Sequence, residues 1–258
     1  MKSTALITGA SSGIGKDLAR IHAEKGGDLI IIARREEKLN ALKQELETAY
    51  DIEVQVILKD LTDSNACEEI YSEVAESGTE VEYLINNAGF GGHGKFHEQD
   101  PGYQQQMIDL NIKALTKLTR LFLPGMVERN SGRILQVAST AGLVPGPLQA
   151  VYFATKSYVL SLSQAIAEEV SDTNVTCTAL CPGATDTEFV EQANLEGTNL
   201  IESGMETSRS VAEKGYNAMM KGKLIEITDF KLKITLDWIV PLMPRKIVLK
   251  TSRKTQEK

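Results

Sequence analysis

Short runs of consecutive aliphatic residues alternate along this chain with longer stretches whose apolar positions recur every three or four residues. The runs read as strands buried on both faces, the stretches as amphipathic helices. Thr4 to Thr8 opens the series, and a helical pattern carrying Leu18, Ala19 and Ile21 follows and stops at Gly26-Gly27. Leu29 to Ile32 and Val54 to Leu58 predict the second and third strands, with a helix from Glu36 to about Tyr50 between them. A helix over Ser64 to about Ser77, a fourth strand at Glu82 to Ile85 and a long helix from about Gly102 to Phe122 come next. Ile134 to Ala138 is the fifth strand; a helix containing Tyr152 runs to about Val170, and Asn174 to Leu180 is the sixth. A helix at Ser208 to Met220 and a seventh strand around Leu224 to Ile227 complete the alternation. Such turn-taking predicts an α/β fold, a doubly wound parallel sheet of about seven strands with helices on both faces.

Composition narrows the function without naming it. The 258 residues suit one large domain, since no Pro/Ser/Gly-rich linker divides them. The net charge of −7 argues against nucleic acid as a partner and toward small-molecule chemistry. Three cysteines and a start that enters a strand almost at once point to a reducing, cytoplasmic setting; Cys177 and Cys181 read as buried thiols. His93 and His97 flank a glycine-rich loop, but with only His22 besides them no metal is assigned. No apolar run approaches the roughly 18 to 20 residues that cross a bilayer.

The candidate chemistry gathers at the carboxyl ends of the strands. After the first strand stands Gly9-Ala10-Ser11-Ser12-Gly13-Ile14-Gly15, a glycine turn opening a helix, where Gly9 permits the sharp turn and Gly13 and Gly15 let backbone approach a pyrophosphate. This is the start of a Rossmann-type nucleotide site. The second strand ends at Ala33-Arg34-Arg35, without the acid that would accept from a ribose 2′-hydroxyl, so NADP is favoured and NAD less so. Asp60-Leu61 follows the third strand and Asn86-Asn87-Ala88-Gly89 the fourth; two asparagines there imply ligand-facing or architectural hydrogen bonds. Ser139 and Thr140 end the fifth strand, and Cys181-Pro182-Gly183 the sixth. Tyr152 and Lys156 lie one helical turn apart on one face, and a fixed ammonium beside a phenol lowers its pKa toward the range of general acid–base work. The polar, acidic stretch 184–204, at the head of a 184–220 insertion, reads either as a mobile lid or as a plain surface excursion.

In this order, the glycine turn from Thr8, Asp60, Asn86 to Gly89, Asn111, Ser139, Tyr152 with Lys156, and Pro182-Gly183 with Thr187 resemble the short-chain dehydrogenase/reductase family over residues 1 to about 228. The resemblance implies an NADP(H)-dependent oxidoreductase acting on a carbonyl or secondary alcohol, with Tyr152 as general acid/base and Ser139 hydrogen-bonding the same substrate oxygen. It implies that Lys156 holds the nicotinamide ribose, and that Asn111 holds a water relaying protons from it. Gly9, Ser11, Ser12, Gly13, Ile14 and Gly15 would take the pyrophosphate region, Arg34 and Arg35 the 2′-phosphate, and Asp60 and Leu61 the adenine. Asn87, Ala88 and Gly89 would take the adjoining ribose, and Pro182, Gly183, Thr185 and Thr187 the carboxamide end. A catalytically silent NADP-sensing protein is the rival implication. Specificity would reside in the Phe90 to His97 loop, the Leu143 to Gln149 loop and the lid.

Residues 229–258 form a basic and apolar extension resembling that of a looser branch of bacterial carbonyl reductases, and a homodimer or homotetramer is expected. From 231 onward eight basic residues face two acidic ones, +6 against −13 on the rest of the chain. Leu232, Ile234, Leu236 and Trp238 alternate with polar residues as in a strand, whereas the resemblance implies helix. The extension could cover the cleft, join subunits or touch anionic lipid; Pro241 and Pro244 argue for at most weak membrane contact. Leu232 to Met243 should pack near the cleft or a partner, with the residues from about Thr251 mobile and solvated.

Overall fold

The computed structural model of the protein describes residues 3–258. The chain runs β1 (Thr4–Thr8), α1 (Gly13–Glu24), β2 (Asp28–Ala33), α2 (Glu36–Ala49), β3 (Val54–Leu58), α3 (Ala66–Glu76) and β4 (Val81–Asn86). A single rod follows, made of α4 (Pro101–Ile108), a π-helical turn (Asp109–Ala114) and α5 (Leu115–Glu128). Then come β5 (Gly132–Val137), a 3₁₀ turn (Thr140–Leu143), α6 (Ala150–Glu169) and β6 (Val175–Cys181). The excursion that follows holds β7 (Thr185–Asp186), α7 (Phe189–Gln192), α8 (Asn199–Glu202) and β8 (Glu206–Thr207), after which α9 (Ser208–Met220) and β9 (Ile225–Ile227) return to the body.

Seven parallel strands form the sheet in the order β3-β2-β1-β4-β5-β6-β9. Alternation along each strand divides the core in two. Ala5 and Ile7 face α1, α2 and α9, while Leu6 faces the opposite layer of α3, α5 and α6. Crossovers fill both faces, so every central strand must be apolar on both sides, which is why the strands read as unbroken aliphatic runs. From β1 the chain winds to β2 on one side and resumes with β4 on the other, so the switch point, where such sheets bind ligands, lies beyond the carboxyl ends of β1 and β4.

Two expectations change here. The insertion over the site is shorter than 184–220, because α9 belongs to the helical layer: Val211 and Ala212 are fully buried beside α1. The extension, whose alternation fits a strand while the resemblance implies helix, is helical. Asp229 caps α10 (Phe230–Ile234) by accepting from the Leu232 amide at 2.9 Å. A π turn (Thr235–Ile239) and a 3₁₀ turn (Val240–Leu242) follow, Pro241 and Pro244 end the run, and α11 (Arg245–Gln256) starts after Pro244. The apparent period of two resolves into two helical faces. Leu232, Leu236 and Val240 turn to the cleft, while Trp238 and Leu242 stay 74% and 87% exposed. Residues from Thr251 are not loose, since α11 reaches Gln256, which is 3% exposed.

Candidate active site

One cavity of about 1160 Å³ opens over the switch point and reaches under the excursion and the extension. Its first end is the turn after β1. Gly9 has φ +68°, and a Cβ there would lie 2.8 Å from Asn87 Nδ2, so neither the conformation nor the space admits a side chain. The turn is tied to β4 by the Thr8 hydroxyl, which accepts from the Asn87 and Ala88 amides at 3.0 Å each, while Asn87 Nδ2 donates to the Thr8 and Gly9 carbonyls. Ser11, Ser12, Gly13 and Ile14 line the cavity. Gly15 does not line the cavity. It lies beneath the turn, where a Cβ would come within 2.4 Å of Asn87 Nδ2 and of the Gly9 carbonyl oxygen, and so it permits the helix to pack against the strand.

The two arginines after β2 part company. Arg34 is mostly exposed and donates to Asp60 Oδ2 at 3.3 Å. Arg35 is fixed across the glycine turn, with Nε and Nη2 donating to Ser11 Oγ at 3.2 and 2.9 Å and Nη2 also to Ser12 Oγ at 2.7 Å. Its Nη1 donates to Glu188 Oε2 at 2.7 Å, and Lys38 Nζ reaches Glu188 Oε1 at 2.5 Å. The Lys38 and Arg35 donors hold the Glu188 carboxyl down at about 2. A carboxylate from the excursion thus occupies Arg35, one of the two arginines that the sequence suggests for a phosphate, together with Lys38. Burial works to raise Asp60, but the Thr62 amide and hydroxyl, together with Arg34, outweigh it and leave the carboxyl below its ordinary value.

The other end of the cavity holds the proton-transfer candidates. Ser139 extends β5 and accepts from the Ala141 amide at 3.1 Å, capping the 3₁₀ turn. Tyr152 and Lys156 project from the first turns of α6. Lys156 Nζ donates to the Val137 carbonyl at 2.7 Å and lies 5.8 Å from the Tyr152 ring centre. The expected lowering of the phenol is absent. Burial pushes Tyr152 up to about 12, opposed by a hydrogen bond from Ser139 and aided by nearby Cys181. Burial also brings Lys156 down to about 8, because the same dry surroundings disfavour the ammonium.

Asn111 sits behind this group, 1% exposed, in the π turn. Its Nδ2 donates to the Phe90 carbonyl at 2.9 Å and Thr155 Oγ1 at 3.1 Å, and its Oδ1 accepts from the Phe90 amide at 3.1 Å. Gly89 separates it from the cavity; a Cβ on Gly89 would lie 3.0 Å from Asn111 Oδ1 and 3.5 Å from Lys156 Nζ. Leu61, Ala88, Pro182, Gly183, Thr185 and Thr187 all line the cavity, with Thr187 over Gly13. The residues suggested by the sequence therefore face one space, except Asn86, Asn111 and Gly15, which lie outside its lining. Lys38, Glu188, Gln149 and Gln256 were not singled out. Lys38 shows the clearest signal, a cation in the first turn of the helix that follows Arg34 and Arg35.

His93 goes to the extension instead of a metal, its Nε2 lying 2.7 Å from the Gln256 carbonyl, and no cluster fit to hold a metal occurs among the described residues. All three cysteines are buried and free. No helix among the described residues is long and apolar enough to cross a membrane.

A family model described as short chain dehydrogenase matches residues 3–197. An uncharacterized oxidoreductase of Bacillus subtilis (strain 168), YvaG, is 37% identical over 188 residues, spanning 73% of this chain and 70% of that protein. The very-long-chain 3-oxoacyl-CoA reductase of Macaca fascicularis is 31% identical over 254 residues, 95% of this chain and 77% of the relative. A short-chain dehydrogenase from Sphingobium yanoikuyae, solved in complex with NADPH, overlays with a TM-score of 0.85 at 30% identity, covering 93% of this chain and 92% of that one. A Burkholderia phymatum short chain dehydrogenase/reductase in complex with NAD shares the fold at 23% identity with a TM-score of 0.84, covering 100% and 97%.

Proposed function

This chain belongs to the short-chain dehydrogenase family of oxidoreductases, and from that premise we propose that it moves hydride between NADP(H) and a carbonyl or secondary alcohol, with Tyr152 as general acid/base. The observation that carries the reading is the convergence of Ser139, Tyr152 and Lys156 on the same cavity as the glycine turn and its cations. The residues fit the cofactor. The cradle at Gly9 and Gly13 excludes side chains, and the cavity exceeds the roughly 1,000 Å³ upper range of single-ligand sites, leaving room for a dinucleotide beside a substrate. Gly9 to Ile14 would hold the pyrophosphate region, Arg35 with Lys38 and Arg34 the 2′-phosphate, Asp60 and Leu61 the adenine, and Lys156 the nicotinamide ribose. Bound there, the nicotinamide supplies or accepts the hydride.

The protein's own share is positioning and one proton. Ser139 Oγ and the Tyr152 hydroxyl address the same substrate oxygen; in reduction the phenol gives its proton to that oxygen, and in oxidation the phenolate removes it. With the phenol raised to about 12, Tyr152 is protonated at neutral pH, the form that gives up its proton in reduction. Leu195, Leu236, Val240, Met243 and Phe153 line the far end of the cavity, which suits a carbonyl compound with a bulky apolar body.

NADPH oxidation against a panel of ketones and 3-oxoesters tests the activity. Tyr152→Phe should cut turnover by about 10²- to 10⁴-fold while NADPH still binds. The reductive kcat/KM of the wild type should stay flat through neutrality and fall only at alkaline pH, while the oxidative rate climbs with pH. A Tyr152→Phe protein with near-normal turnover would assign the proton to another group.

A further inference from the structure

Gln149 immediately precedes α6 and is 2% exposed, yet its Oε1 has no hydrogen-bond partner. Buried side-chain acceptors are rarely left so. Two other orphaned amide oxygens, Asn86 Oδ1 and Gln136 Oε1, belong to side chains gathered on Thr119 beneath the sheet, away from the cavity. Among the described residues Gln149 alone combines an orphaned atom with a place in the cavity wall.

Its neighbours hold it. Gln149 Nε2 donates to Gln256 Oε1 from the extension, and the Gln256 carbonyl is held by His93 Nε2 at 2.7 Å, so the amide is fastened by its nitrogen while its oxygen is left without a partner. Leu148 before it takes φ +71°, a left-handed conformation that a leucine adopts only under constraint, with its carbonyl accepting from the Gly94 amide at 2.8 Å. Strain of this kind, one residue before a member of the cavity wall, persists only where the surroundings over-determine it. Tyr152 stands three residues on, about one helical turn away on the same face, where Cβ atoms lie roughly 5–6 Å apart.

We propose that Gln149 is a specificity-determining residue whose free Oε1 accepts a hydrogen bond from a donor on the substrate, a hydroxyl or amide N–H about one helical turn from the carbonyl presented to Tyr152. The proposal rests on the reading of Tyr152 as the proton donor. It makes the substrate class an apolar carbonyl compound with a second, donating polar group, and it makes the extension part of the substrate site.

N-octyl acetoacetamide and octyl acetoacetate test it, because they differ only in an N–H where the other has an oxygen. The wild-type protein should prefer the amide by about 3- to 10-fold in kcat/KM, as one hydrogen bond warrants. Gln149→Leu should bring the ratio close to one, and Gln256→Leu, which frees the amide to turn, should reduce it. The same pair is also read by thermal shift of the NADPH-bound proteins, which needs no turnover. A stronger shift by the amide in the wild type alone, without turnover of either probe, would uphold the Gln149 site and sink the proton-donor reading instead. Equal response to the two probes in the wild type, a preference that survives Gln149→Leu, or no response to either probe would overturn the proposal.

Discussion

Replacing Glu188 with glutamine should tighten NADPH and leave NADH almost unchanged. The carboxylate now satisfies Arg35 at 2.7 Å and Lys38 at 2.5 Å, so a 2′-phosphate arriving at those cations must share or displace it. All three side chains are 43 to 49% exposed, and exposed ion pairs of this kind contribute about 0.2–1 kcal/mol each. Two pairs make roughly 0.4–2 kcal/mol, which is about 2- to 30-fold in affinity at 1.4 kcal/mol per decade. NADH brings no phosphate to the spot and has nothing to gain. Titrating both cofactors by their fluorescence into each protein, at low and at high salt, reads the effect, and screening should shrink it. The carboxyl is depressed from 4.5 to about 2, so its pairing is complete above pH 4.5 and fades only as pH falls toward 2. Glu188 itself therefore stays charged and paired from about pH 5 to 9. Equal tightening of the two cofactors, or a weaker NADPH, would show that Glu188 does not stand in the phosphate's place.

Two further outcomes follow from burial. Lys156 drops from 10.5 to about 8 in the folded protein, so its ammonium destabilises the fold at all pH values below 8, and the deficit lifts as pH rises from 8 toward 10.5; Lys156→Met should abolish turnover yet raise Tm at pH 7 by a few degrees, and an unchanged or lower Tm would refute the penalty. Deleting residues 251–258 removes Gln256 and the carbonyls of Lys254 and Glu257 that accept from Asn199 at 3.0 Å; calorimetry should show a lower Tm and kinetics an altered substrate preference, whereas a melting curve matching the full chain would return this segment to solvent.

The sheet was legible because its strands leave little choice. Thr4–Thr8, Val54–Leu58 and the helix Ser208–Met220 fall where the pattern places them, since buried parallel strands need unbroken aliphatic runs and helices show their period. The turn chemistry at Gly9 and the i, i+4 pair Tyr152 and Lys156 were legible for the same local reason. What escaped depends on contacts across the chain. Depression of the phenol by Lys156 is sound chemistry for a hydrated pair, but desolvation, invisible in sequence, pushes both groups the other way. Gln256 reads as one more polar residue beside Thr255 and Glu257, and only its seat against Gln149 and His93 gives it a role. The alternation at Leu232 to Trp238 left strand and helix both open because a helix with one face on a cleft and the other toward solvent imitates a strand over seven residues.

The π turn at Asp109–Ala114 sets a condition on chain length. A π turn is an α-helix holding one residue more than its ladder requires. Each residue advances a helix by 100°, so the surplus sets the phase of Leu115, Leu118, Phe122 and Met126, all buried, relative to Met107 before the turn, buried as well. Shortening the rod by one residue would restore an ordinary helix while swinging Asn111 off Phe90 and Thr155, or else turning the apolar face of α5 away from the sheet. One surplus residue thus couples hydrophobic burial to the placement of a polar group behind Lys156. Insertions and deletions that a surface loop absorbs have no silent solution between Pro101 and Glu128, so relatives that keep this site are expected to keep the residue count of the rod even where its sequence has drifted.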